Sequence, residues 1–581
     1  MRVLANLLVP LFLLVLTGCQ QGADEPAVPE EQPESQASEQ SSEQSPEDDA
    51  RSLPAVPGDG IDTERYSDHM ATLASDEFGG RAPGTRGERL TLDYLVAEFA
   101  ELGLQPGYNG SFLQPVPMVE TTNQERSALQ LEREEGEVES LTYPEEMIIW
   151  SRRGGTEQHG IEDSELVFVG YGVVAPEYDW DDYAGLDVEG KTVVMLVNDP
   201  GFATGDDNLF NGRAMTYYGR WTYKYEEAAR QGADAAIIIH ETEPASYGWD
   251  VVANSWSGAQ FELGDQGDDP VMALEGWVTA EAAEHLFERA GLDFSEQKAA
   301  AAEQGFRSVS LGARATAAVR NSVREGVSYN VLATIPGSER PDEAVVYMAH
   351  WDHLGRDMSQ PGSQGIYNGA IDNASGTAAL LELARLHQQA GAPERSILFL
   401  AVTLEEYGLL GSRYYVNNPV FAAADTAAAI NMDALSMVGP THDVEVVGHG
   451  SSELEDILEL AVRDQDREMV AEPSPEAGFY YRSDHFNFAR GGIPALYAKG
   501  GLDHREHGVE YGRAEQVDYR DNRYHQPADE FDPDWDFRGV AEDLELLYRV
   551  GRDVADSDRW PQWYEGNEFR SIRDAQRPDS G

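Results

Sequence analysis

A chain of 581 residues with 105 Asp and Glu against 42 Lys and Arg carries a formal net charge of −63. That surplus excludes nucleic acid as a partner, because a phosphate backbone would be repelled, while the length allows two or three domains. With Cys19 as its single cysteine, the chain can form no internal disulfide and no thiolate cluster for a metal.

In chain order, Arg2 precedes a short apolar run from Val3 to Leu16, followed by Leu16-Thr17-Gly18-Cys19. The run is too short to span a bilayer and reads as a signal peptide. Leu-Thr-Gly-Cys resembles a bacterial lipobox. That resemblance implies an exported lipoprotein anchored through a lipid on Cys19, and Gln20 in place of Asp favours the outer membrane. Residues 20–57 are rich in Glu, Gln, Ser and Pro, too polar to offset chain entropy, and read as a disordered acidic tether. No other stretch is long and apolar enough to cross a membrane.

Two helical patterns lie between Asp62 and Leu104, separated by the polar loop Phe78-Gly79-Gly80-Arg81-Ala82-Pro83-Gly84-Thr85. From 140 to 310 the texture changes. Strands are expected over Leu166–Val174, Thr192–Val197 and Ala235–Ile239, with a helix over Tyr225–Gln231. This region holds no catalytic set. His240, Trp249 and Trp256 are candidates for substrate contact, with packing as the commoner role for such residues.

Ala344–Met348 is an apolar run that reads as a buried strand ending at His350, with Asp352 two residues on. Asp372-Asn373-Ala374-Ser375-Gly376 precedes a helix over Thr377–His387. Ile397–Val402 is a second buried strand, running into Glu405-Glu406-Tyr407-Gly408. Neighbouring residues on a strand face opposite ways, so both glutamates can share a site only if the strand ends there. Ala427–Asn431 is a third strand, ending at Asp433. Ser483 is a plausible cap of a short helix, followed by Asp484 and His485. Arg523-Tyr524-His525-Gln526-Pro527-Ala528-Asp529 follows, then an amphipathic helix over 538–556. The tail from Ser557 is charged and expected to fray.

Strands alternating with helices predict an α/β fold: a three-layer αβα catalytic domain with a mixed, mostly parallel sheet, plus an inserted β-rich domain. The polar clusters lie just past strand ends, where such sheets build their sites. Two histidines among several carboxylates suit a divalent metal, zinc first.

These motifs, in this order, resemble peptidase family M28, the zinc aminopeptidase type, over residues 60–120 and 310–560. The loop at 78–85 is similar to a G-R-x-x-G stretch of that family, and residues 140–310 resemble its inserted protease-associated (PA) domain. The resemblance implies a catalytic domain in two parts, 58–139 and 311–560, followed by a tail at 561–581. It implies two Zn2+ ions, one held by His350 and Asp433, the other by Glu406 and His525, with Asp372 bridging them. Glu405 would be the general base, Asp352 would orient His350, and Tyr524 would donate to the oxyanion. A cis peptide is expected after Asp372. Asp484 and His485 would stand behind the ligands, a structural role being the alternative.

The implied activity is hydrolysis of the N-terminal residue of peptides by a metal-activated water. Three other readings fit the same scaffold: a glutaminyl-cyclase-like enzyme, an acidic carboxypeptidase using Arg482 or Arg505, and a non-catalytic peptide-binding protein. The charge generates its own test. The melting temperature is expected to rise between low and molar NaCl, as the Debye length shrinks to about 3 Å near 1 M. A flat or falling melting curve series would remove self-repulsion as a factor in stability.

Overall fold

The computed structural model describes residues 52–133, 136–153, 158–256, 259–264 and 270–577. The signal segment, Cys19 and nearly all of the acidic tether lie outside them. The last tether residues are already docked, since Leu53 joins the main core. Among the described residues no helix is long and apolar enough to cross a membrane.

Helices α1 (Thr63–Leu73) and α2 (Arg86–Glu101) open the α/β domain where two helical patterns were expected. Each starts on a side-chain cap: Asp62 accepts from the Arg65 amide, and Thr85 from the Gly87 and Glu88 amides. Such caps satisfy amides that have no partner within the helix.

The domain's sheet is built from β1 (Val309–Ile335), β2 (Arg340–His350), β3 (Arg395–Val402), β4 (Thr426–Asn431) and β5 (Ala495–Gly500). β2 lies parallel to both β3 and β4, and β4 lies parallel to β5. β1 closes the other side antiparallel to β3. β3 and β4 are buried along their whole length. Alternate residues of β2 face opposite cores: Val345, Tyr347 and Ala349 join one, Val346 and Met348 the other. Strands covered on both faces read as continuous apolar runs, which is why β2, β3 and β4 were legible in the sequence. Helices α3 (Gly376–Ala390) and α4 (Arg538–Ala555) pack with α1 and α2 in the first core.

β1 was not anticipated. Its first half alternates strictly, with Leu311, Ala313, Ala315, Ala317 and Val319 buried between exposed neighbours. Small Ala residues at the inward positions gave it a weak apolar signal. β1 runs from the β-rich region to the strands of the α/β domain, pairing first with Gln158–Phe168 and Leu129–Arg133, then with Leu113–Arg126 and β3. Within the β-rich region, Thr192–Leu196, Ala235–His240 and Leu274–Thr279 form a parallel trio. The strand expected over Leu166–Val174 ends earlier, at Phe168. Gly170 and Gly172 take positive φ values of 66° and 65° there, so the Val-Gly-Tyr-Gly stretch turns instead of extending.

Up to residue 577 the C-terminal tail does not fray. Trp563 is fully buried and donates from Nε1 to the Gly492 carbonyl oxygen, and Phe569 packs against it. Arg573 is fully buried, donating to the Ala423 and Thr426 carbonyl oxygens. Widely spaced apolar anchors hold a segment whose composition is charged. Trp563→Ala is expected to cost about 3–5 kcal/mol in chemical denaturation, the usual loss for a buried Trp. A cost below about 1 kcal/mol, typical of a surface substitution, would mean the tail is not docked in solution.

Candidate metal centre

His350 is the last residue of β2 and is 1% exposed. Its carbonyl oxygen accepts from Thr377 Oγ1 at 2.8 Å, tying the strand end to the start of α3. Its Nδ1 lies 3.1 Å from the Asp352 carbonyl oxygen and 3.9 Å from that residue's carboxylate. The ring is therefore oriented mainly by the main chain of Asp352, because the carboxylate is turned to accept from the Glu405 amide at 3.2 Å. Donating from Nδ1 leaves Nε2 as the ligating nitrogen.

Nε2 of His350 is 3.1 Å from Asp372 Oδ1 and 3.2 Å from Asp433 Oδ1. The other oxygen of Asp372, Oδ2, is 3.1 Å from His525 Nε2, which lies 3.0 Å from Glu406 Oε2. Asp372 thus offers one oxygen to each of two His-carboxylate groups. His350, Asp372 and Glu406, and likewise His350, Glu405 and Asp433, converge closely enough to hold a metal. This donor set, imidazole nitrogens with carboxylate oxygens, fits zinc. Four carboxylates gathered around these two imidazoles also carry more negative charge than the imidazoles can balance, which favours bound cations.

Local backbone geometry makes the convergence possible. β3 ends at Val402, and Leu404 adopts a left-handed φ of 57°. The turn is made at Leu404, ahead of the Tyr407-Gly408 step, and it aims Glu405 and Glu406 into one site. A non-glycine residue held there costs about 1–2 kcal/mol, and the Leu404 side chain is fully buried. The Asp372–Asn373 peptide is cis, as expected. Gly369 precedes that segment at φ 54°, and a Cβ there would come within 2.2 Å of the Asp372 carbonyl oxygen.

The adjacent glutamates sit in opposed fields. Burial, joined by Asp433, Glu406 and Asp484, raises the Glu405 carboxyl well above its usual range despite His350 nearby. Burial and Asp372 also push Glu406 up, but His525 and His353 overcome them and bring it down to about 2. Burial lifts Asp352 to about 8, against the pull of His350. Asp372 is buried too, yet its hydrogen bonds with His350 and His525 hold it well below the ordinary carboxylate range.

Two residues outside the expected set belong to the site. His353 is fully buried and places Nδ1 2.5 Å from Glu406 Oε1. Asp529, 1% exposed, accepts from the Ile371 and Asp372 amides at 3.0 and 3.1 Å. Their signal was on the page, in Trp-Asp-His353 and in the closing Asp of the 523–529 motif. Ser483 donates to Asp433 Oδ2 at 2.6 Å, while Asp484 is fully buried behind it. Tyr524 is 44% exposed and stacks on His525, ring centroids 3.9 Å apart. Arg505 is paired with Glu542 at 2.8 Å.

The candidates in the β-rich region are engaged in packing. Trp256 stacks on Trp150 at 3.6 Å, Trp249 donates to the Pro144 carbonyl oxygen, and His240 Nε2 lies 3.0 Å from the Tyr247 carbonyl oxygen.

Arg81 explains the polar loop between α1 and α2. Its guanidinium, 1% exposed, donates to the carbonyl oxygens of Leu73, Trp351, Asn368 and Gly369. It clasps the loop after β2 to the loop before Asp372.

A model of peptidase family M28 matches residues 330–547, the stretch that carries every ligand candidate. A probable zinc metalloprotease of Pyrenophora teres f. teres (strain 0-1) is 40% identical over 109 residues, 19% of this chain and 22% of that protein. Aminopeptidase NAALADL1 of Mus musculus is 34% identical over 128 residues, 21% of this chain and 16% of that protein. The matched region thus spans about a fifth of the length of these curated relatives. Among solved structures, an aminopeptidase from Aneurinibacillus sp. strain AM-1 aligns with TM-score 0.48 and 19% identity, covering 86% of this chain and 95% of that one. BSAP, a zinc aminopeptidase from Bacillus subtilis, aligns with TM-score 0.40 and 17% identity, covering 87% and 98%.

Arg81→Met leaves four buried carbonyl oxygens without their donor. The expected cost is at least about 3 kcal/mol in chemical denaturation, together with less divalent metal bound per chain by elemental analysis. Unchanged metal content in a destabilised variant would confine Arg81 to the scaffold.

Proposed function

We propose that the protein is a zinc-dependent aminopeptidase of the M28 type, removing the N-terminal residue of peptides. The observation that carries the reading is Asp372, with one oxygen facing His350 and the other facing His525. His350 and Asp433 would hold one Zn2+, Glu406 and His525 the other, and Asp372 would serve both. Bound zinc would acidify the attacking water and polarise the scissile carbonyl.

The chain's own residues do the rest. Glu405 is the residue for proton transfer, because burial raises the proton affinity of its carboxylate while its neighbour Glu406 stays ionised. Adjacent carboxyls pushed apart in this way suit separate roles, one moving a proton and one binding charge. Glu405 accepts the proton of the attacking water and returns it to the leaving amine. Asp352 fixes the Glu405 main chain through the amide and His350 through its own carbonyl oxygen. His353 occupies one oxygen of Glu406, so the other is left for metal. Tyr524, half exposed beside His525, stands where a phenol can donate to the developing oxyanion.

The β-rich region is proposed as a PA-like insert bordering the cleft. The Leu16–Cys19 sequence supports a lipid-anchored, exported protein.

The test separates the two glutamates. Glu405→Gln is expected to keep two zinc ions while kcat on a free-amine aminoacyl substrate falls by roughly 10²–10⁴. Glu406→Gln is expected to lose metal, with activity partly restored by excess zinc. A Glu405→Gln enzyme with near-normal kcat and full zinc would sink the assignment.

A further inference from the structure

We propose that the β-rich region carries a binding site for a free amino acid with an apolar or aromatic side chain, in the cavity at the carboxyl ends of its parallel strands. The site stands on that region's own residues. Only the source of the ligand, hydrolysis at the metal centre, rests on the aminopeptidase reading above.

Four strands run parallel there. Gln158–Phe168 pairs with Thr192–Leu196, which pairs with Ala235–His240, which pairs with Leu274–Thr279. Beyond their carboxyl ends lies a cavity of about 690 Å³. Tyr171, Val197, His240 and Thr279 line it, each at or just past the end of one strand. Its size is that of a small-molecule site, and open sheets with parallel strands bind their ligands at this edge. Every lining residue falls between Tyr171 and Lys298, so the cavity shares no residue with the metal centre.

The lining holds polar groups with unused bonding capacity. Tyr171 is 3% exposed, yet its hydroxyl has no hydrogen-bonding partner among the described residues. The residue is fixed from behind, its carbonyl oxygen accepting from the fully buried Lys224 ammonium at 2.6 Å. His240 is 4% exposed, and its Nε2 lies 3.0 Å from the Tyr247 carbonyl oxygen. A carbonyl only accepts, so Nε2 carries the proton and Nδ1 is left as an acceptor. Burial pulls the ring below the usual histidine range, which keeps it in that neutral form. Thr279 caps the helix Ala280–Arg289 by accepting from the Ala282 amide at 3.2 Å. The Ala280 and Glu281 amides have no acceptor within the helix, and both residues line the cavity.

This chemistry defines the ligand. The two amides and the Tyr171 hydroxyl are donors for a carboxylate, and a helix N-terminus favours negative charge. His240 Nδ1 and the Glu281 carboxylate are acceptors for an ammonium group. Glu281 is free for that role: Glu243 is paired with Arg213 at 2.9 Å and Glu241 with Lys298, whereas Glu281 has no ion pair among the described residues. Val197, Phe202 and Trp249 add apolar wall. An amino acid zwitterion with an apolar side chain answers all three parts. Left unanswered, buried polar groups of this kind cost stability.

The experiment is calorimetric titration of the full chain, with added zinc, using L-phenylalanine as the probe. Saturable binding is expected, at least about 10-fold tighter than for phenylalaninamide, which lacks the carboxylate, or 3-phenylpropanoate, which lacks the amine. Asp372→Asn, which removes the carboxylate facing both imidazoles of the metal centre, should retain one bound molecule per chain. Ala203→Trp, at an exposed lining position, should abolish that molecule by filling the cavity mouth. Tyr171→Phe should weaken its binding roughly 10-fold while the melting temperature holds or rises, because the hydroxyl removed has no partner in the free protein. Absence of binding, equal affinity for phenylalanine and its two derivatives, or binding that Asp372→Asn removes and Ala203→Trp leaves intact overturns the site. Binding at the cavity by a chain that releases no amino acid from a free-amine aminoacyl substrate upholds the site and overturns the aminopeptidase reading alone.

Discussion

The structure depends on gathering like charges where water is scarce. Asp372, Glu405, Glu406 and Asp433 meet around His350 and His525, with Asp352 and Asp529 buried behind them. Such a set is stable only if every oxygen has a donor or a cation. The surroundings supply several of the donors, although Asp352 Oδ2 is buried without one. The Ile371 and Asp372 amides serve Asp529, the Glu405 amide serves Asp352, and Ser483 serves Asp433. Each of these contacts also fixes the direction of a ligand candidate, so neutralising charge and aiming side chains are one task.

The scaffold meets that demand by ending three parallel strands at one rim. β2, β3 and β4 stop near His350, Val402 and Asn431, and the chain turns sharply after each. The left-handed Leu404 and the close approach at Gly369 are backbone features that a sheet alone would not produce. Leu404 is held by the burial of its side chain and Gly369 by Arg81, whose four carbonyl partners come from the end of α1, the loop after β2 and the loop before Asp372. Energy stored at these turns is offset by the fully buried strands beneath them.

The β-rich region is continuous with this frame. β1 pairs both with strands of the β-rich region and with β3, so the region is clamped to the α/β domain by a strand as well as by side chains.

The sequence by itself determined the parts whose physics is local. Continuous apolar runs announced β2, β3 and β4, because strands buried on both faces need no polar alternation. The acids and histidines just past those runs marked the rim, and their order carried the resemblance to M28 peptidases. Only the tertiary structure decided what depends on residues distant in the chain. Arg81 reaches Gly369 across 288 positions, and Asp529 reaches Ile371 across 158. His353 and Asp529 have no periodicity to announce them, since their roles arise from neighbours that meet only when the sheet has formed. β1 and the docked tail escaped notice for a related reason. Small inward-facing Ala residues and isolated anchors such as Trp563 carry little local signal, yet their burial against distant elements is complete.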